Sequence, residues 1–221
     1  MFTDGFGAMI ATGTLETLYM VLASMFFAYV IGLPVGVFLV VADRDGIRPI
    51  PALQKIIGVI VNLLRSVPFI ILLLALLPFT RLVVGTTLGA TATIVPLVIG
   101  AAPFIARLVE SSLREVDHGI IEAAQAMGAT PMQIVFRVMI PEALPSLIMG
   151  AAIAITTILG YSAMSGFTGG GGLGDIAVRY GYYRYQTDVM LFTVVLLVII
   201  VQIFQEVGTR ISKKNDKRIN D

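Results

Sequence analysis

Few residues in this 221-residue chain have the chemistry to make or break a bond. His118 is its single histidine and cysteine is absent, so the ligands of a metal centre are missing. No Ser/His/Asp relay can be assembled around that one ring, which excludes the commonest enzyme chemistry. No Gly-x4-Gly-Lys-Ser/Thr stretch occurs, so the chain has no phosphate loop of its own. The run GGGGLGD, residues 169–175, lacks the strand-turn-helix setting of a dinucleotide site and reads as a flexible outer linker. What remains is the chemistry of contact. EAAQAMGATPMQIVFRVMIPEALP, residues 122–145, is a polar, punctuated, helix-like stretch set between segments too apolar to dissolve in water.

Locally, residues 120–127 predict a short helix closed by Gly128, since glycine tolerates the left-handed conformation just past a helix end. Thr130-Pro131-Met132-Gln133 predicts a restart: an N-cap threonine, proline at the first helical position and glutamine where a capping box requires it. Pro141 is expected to end the second helix. Within it Met132, Phe136 and Met139 recur at i, i+4 and i+7, an apolar stripe with Gln133 and Arg137 beside it. That stripe either lies against the protein's own spans or seats on a partner.

The elements that must hold this hairpin follow from composition. Hydrophobic residues make up 57% of the chain and charged ones 13%, against roughly 25% charged in soluble domains. A bilayer-crossing helix needs about 20 mostly apolar residues, and five stretches qualify: 15–41, 56–79, 89–106, 147–164 and 189–207. The N-terminal segment carries no basic residue and so lacks the front of a cleavable signal peptide. The expected fold is all-α: a single transmembrane domain over residues 1–221, with a cytoplasmic hairpin at 118–145. With the C-terminus inside, the cytoplasmic segments hold Arg44, Arg48, Lys55, Arg107, Arg114, Arg137, Arg210, Lys213, Lys214, Lys217 and Arg218. The outside holds only Arg81, Arg179 and Arg184, and that bias orients the chain with its N-terminus out. Pro34, Pro68, Pro96 and Pro103 each remove a backbone donor that lipid cannot replace, so these spans must pack on neighbours. Gly32-x-x-x-Gly36 is either a close helix contact or a lipid-facing kink.

Glu122-Ala123-Ala124, then Gly128 after three residues and Val138-Met139-Ile140-Pro141 after nine more, resembles the cytoplasmic signature loop of ABC importer permeases. RSVPFIILL (65–73), VPLVIGAAPFIARLVE (95–110), GATPMQIV (128–135) and GYSAM (160–164) resemble the methionine-type permeases in particular. The resemblance implies a type I importer permease fold in the bacterial inner membrane, with methionine or a related small amino acid as cargo. It implies that Glu122, Ala123, Ala124, Gly128, Met132, Phe136 and Pro141 couple the chain to a separate ATPase. It further implies a second copy of the chain, two ATPase subunits that bind the ATP and magnesium, and an extracytoplasmic binding protein. No cofactor, no enzyme activity and no nucleic acid is expected of this chain.

The competing reading is an ion-coupled secondary carrier or a channel subunit. Such carriers keep carboxylates deep in the membrane, whereas the carboxylates within the five expected spans lie near span ends, Glu16 at an outer end and Glu206 at an inner one. Arg65 either bonds to carbonyls in the inner leaflet or contacts the pathway. Tyr161, Ser162, Met164 and Ser165 precede the glycine run and are expected at the outer gate, where an unbranched methionine can seal and reopen a constriction. Packing against neighbouring helices is the alternative role for Met164. Tyr180, Tyr182, Tyr183 and Tyr185 read as an interfacial aromatic belt.

Overall fold

A computed structural model describes residues 5–215, and among them every regular element is a helix. In chain order these are α1 (Phe6–Val41), α2 (Pro51–Ser66), α3 (Phe69–Ala75), α4 (Leu77–Val84), α5 (Ala90–Arg114), α6 (His118–Ala126) and α7 (Pro131–Ile134). A π-helical stretch Val135–Met139 leads to α8 (Ile140–Glu142) and α9 (Leu144–Met164). Then come α10 (Gly172–Ile176), a second π-helical stretch Ala177–Tyr182 and α11 (Thr187–Asn215). Lys217 and Arg218, two of the residues counted for orientation, lie outside the described residues.

Among the described residues α1, α5, α9 and α11 are long and apolar enough to cross a membrane, and α2 with α3 makes a fifth if taken as one broken span. The expected span 56–79 is therefore corrected. Pro68 has no N–H, and its ring pushes the preceding residue out of the helical region. Pro68 itself is extended at φ −57°, ψ 132°, and its carbonyl accepts from the N–H groups of Ile71 and Leu72 to start α3. By contrast α1 runs on through Pro34 and α5 through Pro96 and Pro103.

The described residues gather into two compact units. The first takes those up to Phe27, Val67–Ala101 and Ile155–Gln205. Its centre is the glycine run, which is no flexible linker. Glu16 Oε2 accepts from the Gly172 N–H at 2.7 Å and Thr17 Oγ1 from the Leu173 N–H at 2.9 Å. The Thr93 hydroxyl donates to the Gly170 carbonyl, and Leu173 is fully buried. The run is rich in glycine because the backbones touch: a Cβ on Gly174 would meet the Ala163 carbonyl oxygen at 2.5 Å. Glu16, well inside α1, is thus spent on satisfying a turn. Tyr182, the last residue of the second π-helical stretch, and Tyr183 and Tyr185 after it stand exposed.

The second unit takes Ala28–Ser66, Ala102–Ala154 and the residues from Glu206 on. Here Gly32 and Gly36 make a close helix contact rather than a lipid-facing kink, because a Cβ on Gly36 would lie 2.6 Å from the Ala106 carbonyl oxygen of α5. Lipid tails are as apolar as leucine, so such spans gain from dense packing and not from leaving water. Leu39, Ile105, Val109 and Leu113 fill the space around that contact, all but fully buried. Ser112 and Ser146 hydroxyls bond at 3.0 Å, and the Ser212 hydroxyl donates to the Pro145 carbonyl at 2.8 Å.

A candidate coupling surface

The hairpin in the second unit is built from strong local signals. Asp117 caps α6, its carboxylate accepting from the Gly119 N–H at 2.8 Å. Gly128 follows with φ +77°. Its N–H donates to the Gln125 carbonyl and the Ala129 N–H to the Ala124 carbonyl, the paired closure of a Schellman end. Thr130 restarts the chain with a full capping box: its N–H donates to Gln133 Oε1 at 2.8 Å, and its Oγ1 accepts from the Gln133 N–H at 3.4 Å. Pro131 stands at the first turn of α7.

Pro141 does not end the second helix, contrary to expectation. The turn before it widens to π geometry, with the Ile140 N–H donating to the Val135 carbonyl. That register absorbs the donor that proline lacks. The chain then passes through α8 into α9, with the Ala143 N–H on the Met139 carbonyl and the Leu147 N–H on that of Ala143. The hairpin is therefore continuous with a membrane span.

The apolar stripe is split. Met139 is 1% exposed, whereas Met132 is 69% and Phe136 57% exposed. Ile121, Ala124, Ile134 and Val135 also point into the protein. Met127, which the sequence reading passed over, is 82% exposed; its place just before the left-handed glycine was the available signal. Met127, Met132 and Phe136 thus form an open apolar surface on a hairpin whose inner face is anchored. Glu122 and Ala123 lie on the exposed side, and Ala124 packs beneath them against its own chain. Beside them is a cavity of about 280 Å³ lined in part by Asp43, Asp45, Arg114, His118, Glu122 and Gln125. The Arg114 guanidinium, and after it the Arg44 N–H, hold the Asp43 carboxyl below its ordinary pKa.

The residues expected at the gate meet different surroundings. Ser162 and Ser165 are buried and spend their hydroxyls on the carbonyls of Leu159 and Ser162. Tyr161 stacks on Phe69 with ring centroids 4.2 Å apart. Only Met164, 46% exposed, is open, and Phe167 beside it is open too. Arg65 belongs to the second unit, where it is exposed with its guanidinium 5.8 Å from the Phe104 ring centroid.

Residues 32–220 match the family described as binding-protein-dependent transport system inner membrane component. The chain belongs to this family. The permease is 48% identical to the probable D-methionine transport system permease protein MetI of Vibrio cholerae, over 95% of this chain and 93% of that one. It is 54% identical to the D-methionine transport system permease protein MetI of Escherichia coli, over 72% of this chain and 73% of that one. A solved chain of the inward-facing MetNI methionine ABC transporter superposes with a TM-score of 0.96 at 50% identity, covering 98% of the permease and all of that chain. A chain of an amino acid ABC transporter crystallised with histidines, 17% identical with a TM-score of 0.78, shares the fold. The permease is accordingly an all-helical, multi-pass inner-membrane subunit with the type I ABC importer fold. Family membership sets aside the ion-coupled carrier and the channel.

Proposed function

We propose that two copies of this permease enclose a pathway for methionine or a related small amino acid. Each copy seats one ATPase subunit, and an extracytoplasmic binding protein delivers the cargo to the outer face. The cargo assignment rests on relatives named for D-methionine transport at 48% and 54% identity. The observation that carries the docking role is the exposure of Met127, Met132 and Phe136 on a doubly capped hairpin held from within by Ile121, Ile134 and Met139. ATP and magnesium belong to the ATPase, whose closure pushes the hairpin. Because the hairpin continues into α9, its displacement passes to a span, a rigid-body route to alternating access.

Glu122 and Ala123 border the docking surface, and Gly128 sets the turn that presents it. Met164 is the side chain available to close the pathway where two copies meet. The N-terminus lies outside and the C-terminus inside, as the basic residues imply.

ATP-driven uptake of labelled methionine into vesicles holding the permease, a co-expressed ATPase and the binding protein tests the function. Uptake that needs ATP and is competed by unlabelled methionine is the expected result. Uptake that continues without the ATPase would sink it. Impermeant thiol labelling of intact cells tests orientation: Asp4→Cys, outside the described residues, should react, and Lys214→Cys should not.

A further inference from the structure

Three residues before the Asp117 cap of the hairpin, α5 ends in a charged knot. Glu110, with its side chain 8% exposed, accepts from Arg107 one turn before it and from Arg114 one turn after it, the latter at 3.0 Å. Arg107 also donates to the Gly58 carbonyl of α2 at 2.9 Å. Arg114 also donates to Asp43 Oδ2, in the turn between α1 and α2, at 2.6 Å. One buried carboxylate therefore ties α5, α2 and the α1–α2 turn together where the chain leaves for the hairpin.

A buried ion pair adds little net stability over well-packed apolar side chains, because desolvation offsets the attraction. What it does impose is geometry, since bonds between charged groups are short and directional. The two positive and two negative side chains cancel, so the knot is neutral as a set. Removing the Glu110 charge would leave Arg107 without its carboxylate partner and Arg114 with Asp43 alone.

We propose that Glu110 is a positioning residue for ATP coupling, which with Arg107, Arg114 and Asp43 locks the base of the hairpin to α1 and α2 so that a push on the hairpin moves those helices instead of bending the α5–α6 junction. This rests on the reading of the hairpin as the ATPase seat. Asp43 and Arg114 also line the cavity beside Glu122, so the base of the hairpin has space on one side and needs such a tie. Loss of the tie should leave docking intact and waste hydrolysis.

The test uses the full transporter in vesicles and reads methionine taken up per ATP hydrolysed, with ATPase binding measured separately. Glu110→Gln keeps the shape and removes the charge. It should hold the ATPase and hydrolyse ATP, but lower the uptake-to-hydrolysis ratio by about tenfold, within the range of a single coupling free energy. Asp43→Ala, at a partly exposed site, should lower the ratio by less, and Asp43→Glu should restore it. A purely structural role would reduce the amount of assembled transporter and leave the ratio per assembled complex unchanged, and that outcome overturns the proposal. If Glu110→Gln does not assemble, an unchanged ratio in Asp43→Ala overturns it equally. Failure of the hairpin reading would appear elsewhere, as ATPase binding that survives changes at Met132 and Phe136.

Discussion

Replacing Phe136 by alanine separates docking from folding, because this side chain is open in the permease by itself. Phe136 leaves 57% of its surface exposed, and an aromatic side chain buries about 150–250 Å² when fully covered. Docking can then remove about 85–140 Å² from water, which at about 25 cal/mol per Å² is about 2–3.5 kcal/mol. Part of that remains with the alanine methyl, so the expected loss is about 2 kcal/mol, or roughly thirtyfold in affinity for the ATPase. Folding should barely change, since few internal contacts are lost. Met139→Ala is the contrast: that side chain is 1% exposed, and truncating it should cost about 2–5 kcal/mol of stability through the cavity it leaves. The assay titrates purified ATPase onto the permease held in nanodiscs and records thermal unfolding of both variants alongside. If Phe136→Ala binds the ATPase within about threefold of the unmodified chain, a factor worth only about 0.65 kcal/mol, the exposed surface is not the seat and the reasoning fails.

Gly128→Val should cost about 1–2 kcal/mol, because a β-branched residue at φ +77° crowds the following carbonyl; membrane insertion should persist while ATP-driven uptake is lost, as read by immunoblot and uptake together. The folded pKa of Asp43 lies below its ordinary value of 3.8, so its contribution to stability is present above that value and fades as pH falls through the folded pKa. Thermal unfolding should therefore show Asp43→Asn less stable by a constant margin from pH 5 to 8, and a shrinking margin in more acidic solution; a margin that widens with acid would contradict the ion pair with Arg114. Met164→Ala should raise passive leak of small solutes without ATP, and Met164→Cys should cross-link two copies in the resting state, since a disulfide needs Cα atoms within about 7 Å. Absence of both in an assembled transporter reduces Met164 to packing.

Much of the hairpin was legible because its signals act over a few residues. Gly128, Thr130 and Gln133 satisfy backbone groups no more than five positions away, and the structure makes those bonds where the residue types predict them; the Asp117 cap of α6 was passed over. Pro141 misled for a related reason. A proline forbids one hydrogen bond, but the chain has two ways to do without it, stopping the helix or widening the turn before it, and the local residues do not choose between them. At Pro68 the helix broke instead, and at Pro103 it ran on unbroken.

From the sequence alone came the membrane solvent, the all-helical class, the two caps of the hairpin and the family resemblance, all of which depend on composition or on neighbours along the chain. Which way a side chain faces depended on partners far away in sequence, and only the tertiary structure decided it. Met132, Phe136 and Met139 are equivalent in periodicity, yet packing buries one and leaves two open. The glycine run looked like a linker until Glu16 and Thr17, 156 positions away, supplied acceptors for its N–H groups. Gly36 became a contact only because the Ala106 carbonyl meets it. The physical reason is common to these cases: caps and turns close hydrogen bonds within a few residues, whereas burial is settled between helices that the chain brings together only on folding.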